Sequence, residues 1–245
     1  RETGEGGAND EYTRIAFAAD RADEVWEYSL YNLGRARARG FPATRQRFVP
    51  LGALTTPKVD YSTATAERLV FFGRAREKHC TKAVGVSKIQ TVRSVWSVVA
   101  YERLLRRHAV FLNLQKACDG TDSHTGPLTF RNYVLLNARA LIISELIAPE
   151  DRQTLADVID FVPFRDMAST HQRLIAMSNS EREALATERH RRFQERSQPG
   201  DIFLRAGVGP AWLERRRQYA FENCYQHNHT TRRVTGTGRT GPPGR

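Results

Sequence analysis

The chain has 245 residues, enough for one large domain or two small ones with a substantial core. It carries 38 Lys and Arg residues against 27 Asp and Glu residues, for a formal net charge of +11, and all but five of the basic residues are Arg. A hydrophobic content of 40% with 27% charged residues argues against a wholly disordered chain. No apolar run approaches the roughly 20 residues that a membrane-spanning helix needs.

The cysteines are Cys80, Cys118 and Cys224, which are widely spaced and form no CxxC pair. An odd number at such spacings argues against a disulfide scaffold and favours a reducing compartment. We therefore expect a cytoplasmic protein, and the basic excess is compatible with peripheral attachment to an anionic membrane surface. The chain begins at Arg1 rather than Met and has no signal-peptide pattern, so we expect a fragment or a processed product.

Both ends of the chain have compositions that predict disorder. Residues 1–10 are rich in Gly and acids, and residues 229–245 are dominated by Thr, Gly, Pro and Arg. The four Arg residues of this tail, with no acid beside them, account for +4 of the net charge. Between the ends we expect a helix-rich lead-in over 11–50, a Rossmann-like domain over 51–200 and a C-terminal helix over 201–228.

Within the central region, short apolar runs alternate with segments of helical periodicity. The runs lie at 69–72, 110–114, 141–144 and 161–164. Each is too short for a helix and is apolar on both faces, which is typical of central strands in a parallel sheet. Helical periodicity precedes His108, covers 130–138 and follows Pro149. This alternation predicts an α/β fold with a Rossmann-like, doubly wound parallel sheet.

The chain after residue 164 has the periodicity of helices only. We expect helices over 166–177, from Ser180 to 196, and over 210–226. Ser180 and Glu183 have the S-x-x-E spacing of a capping box, which predicts that the second of these helices begins at Ser180. The sequence therefore predicts extra helices flanking the parallel sheet.

Candidate ligand-binding residues follow the predicted strands. In an open parallel sheet, ligands bind beyond the carboxyl ends of the strands, near helix N-termini whose N–H groups attract phosphate. The polar or glycine residues at these positions are Gly73, Arg74, Asn113, Gln115, Lys116, Thr129, Arg131 and Glu145. Basic groups, a helix start and a carboxylate around one crevice suit a nucleotide diphosphate.

Each of these residues also has an ordinary structural interpretation. In that interpretation Gly73 and Arg74 form only a turn with a solvated Arg, and Lys116 is an ordinary surface residue. Arg131 then pairs with a neighbouring acid, and Glu145 caps the following helix. The sequence contains neither GxGxxG nor a Walker A motif, which argues against a standard dinucleotide dehydrogenase or P-loop NTPase.

Several short motifs occur in a distinctive order over residues 20–200. They are DEVWEYS at 23–29 with Asn32, VPLG at 49–52, RLVFFGR at 68–74, AVFLNLQ at 109–115, Phe130-Arg131 with Leu135-Leu136, and IISE at 142–145. Their order resembles the C-terminal, donor-binding half of GT-B glycosyltransferases of the group 1 type, in particular the CgeB-like branch. One departure is Leu128, which stands where that branch commonly has a Glu that binds ribose.

The resemblance implies transfer of a sugar from a nucleotide-sugar donor to an acceptor hydroxyl, with this chain supplying the donor-binding domain. It implies that basic side chains and a helix N-terminus, with no metal or other cofactor, stabilise the departing diphosphate. The acceptor, a glycan, a lipid or a protein, stays open. The catalytic base also stays open, because in the resembling enzymes it usually comes from an N-terminal domain. Only the last helices of such a domain fit in residues 1–50, so the resemblance implies that the chain alone is incomplete or inactive.

Specific roles also come from the resemblance. Arg74, Lys116, Arg131 and the backbone N–H groups near Thr129 are the candidates for holding the diphosphate, with Gly73 allowing close backbone approach. The candidates for hydrogen bonds to the sugar or ribose are Asn113, Gln115 and Glu145.

Other classes of protein remain alternatives. The chain can be a non-catalytic relative that binds a nucleotide sugar or a protein partner. It can also be a basic nucleic-acid-binding protein, since residues 74–107 and 189–217 are rich in basic side chains; no known nucleic-acid-binding module matches, which disfavours this class. Cys224, His227 and His229 are metal-ligand types, but three such residues beside a disordered tail predict no metal site.

Overall fold

The computed structural model describes residues 24–72, 84–86, 89–92, 97–114, 128–212 and 214. In chain order the elements are β1 (Val25–Glu27), α1 (Leu30–Ala38), β2 (Gln46–Phe48), β3 (Leu69–Phe72), β4 (Ile89–Val92), α2 (Val98–Arg107), β5 (Val110–Asn113), α3 (Phe130–Asn137), β6 (Leu141–Ser144), α4 (Pro149–Arg152), β7 (Asp160–Phe161), α5 (Phe164–Ala176), α6 (Asn179–Arg196) and α7 (Pro199–Arg205). They include two parallel sheets.

The larger sheet has five parallel strands in the order β4-β3-β5-β6-β7. Strands β5 and β6 are buried along their whole length, as continuous apolar runs in a covered parallel sheet require. The predicted α/β fold with a Rossmann-like sheet is confirmed. Strands β3 and β6 have the predicted bounds, and β5 ends at Asn113, one residue early.

The strand order contains one topological switch point. The chain enters the sheet at β3, places β4 on one side, and then returns to place β5 on the other side. Ligands of open α/β sheets bind where the order reverses in this way, beyond the carboxyl ends of the strands. The crevice between β3 and β5 is therefore the expected binding position.

Strand β4 was not predicted from the sequence. Its residues Ile89, Gln90, Thr91 and Val92 are all half-buried, because β4 lies at the edge of the sheet beside β3 alone. An edge strand needs no continuous apolar run, so the pattern that indicates the central strands is missing here.

Three predicted boundaries were wrong. The run at 161–164 forms the two-residue strand β7, and Pro163 then precedes the first residue of α5, because proline has no N–H for a sheet ladder but suits a helix start. The helix after Pro149 is a single turn followed by turns up to Val158. Helix α6 begins at Asn179 rather than Ser180, and its N-cap is Ser178.

The capping box of α6 consists of Ser178 and Glu181 rather than Ser180 and Glu183. The Glu181 N–H donates to Ser178 Oγ at 3.2 Å, and the Ser178 N–H donates to Glu181 Oε2 at 2.6 Å. Both pairs have the same spacing, so the sequence alone does not distinguish them. The earlier start brings Arg182 to the end of α5, where its Nη1 donates to the Leu174 carbonyl at 3.0 Å.

The smaller sheet pairs β1 with β2 and leads into α1. Ser29 caps α1, since its Oγ accepts a hydrogen bond from the Asn32 N–H at 3.1 Å. At the other end of α1, Gly40 adopts a positive φ of 88°, and the Gly40 N–H donates to the Arg37 carbonyl at 2.9 Å. This left-handed residue ends the helix in the way glycine favours.

The core lies between the larger sheet and its helices. Phe71, Phe111, Leu135 and Phe193 are fully buried in it, from two strands and from helices α3 and α6.

The chain divides into two compact units, residues 1–202 and residues 203–245. In the described part of the second unit, a turn at Gly207 lets the Val208 N–H donate to the Phe203 carbonyl at 2.7 Å. None of the helices in the described ranges has the length and hydropathy to cross a membrane.

Candidate functional site

Two polar residues end the neighbouring buried strands β5 and β6. Asn113 and Ser144 are register partners, and both side chains are fully buried. Asn113 Nδ2 donates to Ser144 Oγ at 3.0 Å, and Ser144 Oγ donates to the Glu145 carbonyl at 3.1 Å. The Glu145 N–H donates back to the Asn113 carbonyl at 3.2 Å. These bonds hold the carboxyl ends of the two strands in one hydrogen-bonded unit.

The Asn113 side chain also holds the two residues at the start of α3. Its Oδ1 accepts hydrogen bonds from Thr129 Oγ1 at 2.8 Å and from Arg131 Nη1 at 3.0 Å. Because Nδ2 donates to Ser144, the amide is fixed in one orientation, with its oxygen toward α3. Asn113 therefore sets where Thr129 and Arg131 lie.

Arg131 lies across the switch point of the sheet. Its Nη1 also donates to the Leu114 carbonyl at 3.2 Å, just beyond β5, and its guanidinium carbon lies 5.0 Å from the centre of the Phe71 ring in β3. A guanidinium over an aromatic face gains about 0.5–2 kcal/mol. One cationic side chain thus contacts both strands that border the crevice.

The amino end of α3 adjoins this guanidinium. Among the described residues the Thr129 side chain makes no capping hydrogen bond, since its hydroxyl donates to Asn113. The pKa of Tyr28 is raised, chiefly by burial and further by the charges of Glu27 and Asp151. The backbone of Phe130, the first residue of α3, acts in the opposite direction. The positive end of the α3 dipole and the Arg131 charge together favour an anion.

The structure brings together half of the residues selected from the sequence. Asn113, Thr129 and Arg131 meet directly, and Glu145 joins them through its backbone. The Glu145 side chain is fully buried. The other four candidates lie outside the described residues: Gly73, Arg74, Gln115 and Lys116.

The sequence did not single out Asp151 as part of this region. Its buried carboxylate accepts hydrogen bonds from Ser29 Oγ at 2.6 Å and from the N–H groups of Leu30 at 2.6 Å, Tyr31 at 3.3 Å and Leu128 at 2.9 Å. An acid in the first turn suits the positive end of the α4 dipole, and the sequence alone gives no further reason for Asp151. Its partners lie 23 to 122 positions away, and no local pattern reveals such contacts.

Asn132 is a second residue that the sequence did not indicate. It is fully buried in the first turn of α3, and within the described ranges neither polar atom of its side chain has a hydrogen-bond partner. A buried amide in this state is uncommon in folded proteins.

Four of the five Arg residues of α6 are paired with acids. Arg189 donates to both carboxylate oxygens of Asp160 at 2.9 Å. Arg191 and Arg192 both hydrogen-bond Glu188 and lower its pKa to about 2. These pairs neutralise the start of the basic run at 189–217, one of the two that supported the nucleic-acid alternative. In the part of the chain that the structure describes, no three His, Cys, Asp or Glu residues cluster as a metal site, and Cys224, His227 and His229 lie outside it.

The parallel sheet, its strand order and its helices define a Rossmann-like fold of the GT-B kind. Solved structures similar to this chain include a sucrose-phosphate synthase from Thermosynechococcus elongatus, with a TM-score of 0.52 and 16% identity over 89% of this chain. TarM is similar with a TM-score of 0.50 and 11% identity over 87% of this chain. The match spans 65% of the synthase chain and 47% of the TarM chain. No protein-family model and no curated protein matches the chain.

Proposed function

We propose that the chain is the donor-binding domain of a GT-B glycosyltransferase, similar to the C-terminal half of the CgeB-like branch. It binds a nucleotide sugar, whose sugar is transferred to an acceptor hydroxyl. The observation that carries the proposal is the position of Arg131, which contacts β3 and β5 at the switch point and adjoins the start of α3. The similarity to a sucrose-phosphate synthase supports a role in sugar chemistry.

The chemistry of the leaving group explains this choice. When a glycosidic bond to a nucleoside diphosphate breaks, negative charge grows on the departing diphosphate, and groups that stabilise this charge lower the barrier. A guanidinium offers a planar pair of donors to phosphate oxygens, and the helix start adds N–H groups and a positive dipole end. Arg74 and Lys116, which follow β3 and β5 in the chain, are proposed to add charge to the same site.

The burial of Asn113 changes the role that we propose for it. A fully buried amide with hydrogen bonds to Ser144, Thr129 and Arg131 is suited to orienting those side chains rather than to contacting a sugar. The Glu145 side chain is also fully buried, so by the same reasoning we no longer propose that it contacts the sugar or ribose, and Gln115 remains the candidate for that hydrogen bond. We propose no metal, because the cationic groups perform the charge stabilisation that a metal otherwise provides.

The experiment is nucleotide binding by the wild-type chain and by Arg131→Ala. We expect UDP, GDP or ADP to raise the melting temperature of the wild type, and we expect Arg131→Ala to weaken that binding by about tenfold or more, as loss of a charged hydrogen-bonding group does. The matched control is Arg165→Ala, which removes an Arg that is 75% exposed on α5. Absence of binding by all three nucleotides contradicts the proposal.

A non-catalytic relative is the second candidate, and Leu128 favours it. The Leu128 side chain is buried at 1% exposure, where the resembling enzymes commonly have a ribose-binding Glu. Hydrolysis of a nucleotide sugar by the protein separates the two. Turnover supports the transferase, whereas nucleotide binding without turnover supports the non-catalytic relative.

A further inference from the structure

We propose that Asp151 is a positioning residue that fixes the amino end of α3 to the segment before α1. The proposal rests on the proposed function for the role of α3 in ligand binding. Asp151 lies in the first turn of α4, and its carboxylate is 1% exposed. Through this one side chain, three segments far apart in the sequence meet: residues 29–31, Leu128 and α4.

The two oxygens of Asp151 have different partners. Oδ1 accepts from the backbone N–H groups of Leu30 and Tyr31, which are the first two residues of α1. Oδ2 accepts from the Ser29 hydroxyl and from the Leu128 N–H. A buried carboxylate is stable only when its lone pairs are satisfied, and four donors together with the positive end of α1 meet that requirement.

The Leu128 contact connects this carboxylate to the candidate site. Leu128 directly precedes Thr129, whose hydroxyl donates to Asn113, and Arg131 follows two residues later. The Leu128 side chain is itself buried, so its backbone is held on two sides. Fixing the Leu128 N–H therefore fixes how the chain enters α3 and where the Thr129 and Arg131 side chains start.

Tyr28 makes a second connection between the same two segments. Its ring packs edge-on against the Tyr133 ring of α3, with the centres 6.1 Å apart and the planes at 88°. Next to it, Glu27 Oε1 accepts from the N–H groups of Tyr28 at 2.9 Å and Ser29 at 3.0 Å, which fixes this turn. The turn before α1 and the start of α3 are thus packed as one body.

Asp151→Asn is a selective test of the Leu128 contact. The new Nδ2 group must replace one of the two oxygens. If it replaces Oδ1, the hydrogen bonds from both backbone N–H groups are lost. If it replaces Oδ2, Ser29 Oγ can accept a hydrogen bond from it, but the Leu128 N–H is a donor and loses its acceptor. We therefore expect the variant to keep the bonds of Leu30 and Tyr31 and to lose that of Leu128.

The experiment combines amide hydrogen exchange with nucleotide affinity. In Asp151→Asn we expect faster exchange at Leu128 and in the first turn of α3, unchanged protection in β5 and β6, and an affinity for UDP, GDP or ADP about tenfold weaker. The control is Glu150→Gln, which makes the same charge change at an exposed position in the same turn. Both measurements should match the wild type in the control.

The outcomes distinguish this proposal from the proposed function. Faster exchange throughout β5 and β6, or local loosening with unchanged affinity, overturns the positioning role. If the wild type binds no nucleotide, the proposed function fails, and the exchange pattern alone decides whether Asp151 holds the start of α3. If Asp151→Asn does not fold, Ser29→Ala is used instead, because it removes one donor and keeps the carboxylate. Faster amide exchange confined to 29–31 and 128–131 then supports the proposal, and unchanged exchange there overturns it.

Discussion

Among single residues, Asn113 orients Arg131 without adding a charge of its own to the candidate site. Its amide oxygen is neutral and accepts from Arg131, so this hydrogen bond cancels none of the guanidinium charge. A carboxylate of the same shape accepts the same two hydrogen bonds but cancels that charge. Changing residue 113 from Asn to Asp therefore alters the charge beside Arg131 while it preserves the hydrogen-bond geometry.

Asn113→Asp tests this separation. We expect the variant to fold, because the new carboxylate pairs with Arg131 and the Ser144 hydroxyl can turn to donate to it. We expect its affinity for a nucleoside diphosphate to fall by about tenfold or more, since two negative groups then compete for one guanidinium. Isothermal titration measures the change. Ser144→Ala, which removes an Asn113 partner and adds no charge, is the control, and equal affinities in wild type and Asn113→Asp contradict the expectation.

The individual site residues also mark the limit of sequence interpretation. Asn113, Thr129 and Arg131 were selected by one rule, that ligands bind where parallel strands end, and the structure brings these three together. Asp151 follows no such rule. Three of its four hydrogen bonds come from backbone N–H groups, which every residue except proline has, so the sequence of those partners contains no signal.

At the scale of whole elements, burial explains which strands were predictable. Strands β5 and β6 are buried throughout, and each is apolar up to its polar last residue, whereas β4 mixes Ile and Val with Gln and Thr at the edge. Helix starts were less predictable, since two S-x-x-E pairs overlap near α6 and only packing selects Ser178. Periodicity thus identifies an element, while contacts distant in sequence fix its ends.

Helix α1 provides a matched pair of glycines with opposite expected effects. Gly34 lies inside the helix and has room for a Cβ, so Gly34→Ala should stabilise the fold by about 0.5–1 kcal/mol. Gly40 also has room, but its φ of 88° disfavours any Cβ, so Gly40→Ala should destabilise by about 1 kcal/mol. Urea unfolding measures both free energies. Changes of the same sign in the two variants would show that the α1 end is not built as described.

For the molecule as a whole, buried histidines predict how stability depends on pH. The pKa values of His108, His171 and His190 lie below the ordinary value of 6.5, and burial is the largest cause in each. Positive neighbours act in the same direction at two of them: Arg68 and Arg107 beside His108, and Lys58 and Arg139 beside His190. The Ala66 and Leu136 carbonyls, which contact His171 and His190, oppose the shift.

We therefore expect stability to fall as the pH drops below 6.5, the ordinary histidine pKa. The folded state binds fewer protons than the unfolded state in this range, so the stabilisation is complete above pH 6.5 and is lost on acidification below it. Urea midpoints across this range measure the effect. His171→Gln keeps a donor for the Ala66 carbonyl and removes one titration, so its dependence should be flatter. A midpoint that is constant over the range would contradict the expectation.

The placement of Arg131 over Phe71 has a thermodynamic consequence for any anion that binds there. A free Arg side chain has about 2 kcal/mol of rotamer entropy to lose when a ligand orders it. In this chain, folding has already ordered the guanidinium through Phe71, Asn113 and the Leu114 carbonyl. An arriving diphosphate therefore meets a rigid cation, and more of the electrostatic attraction appears as net affinity.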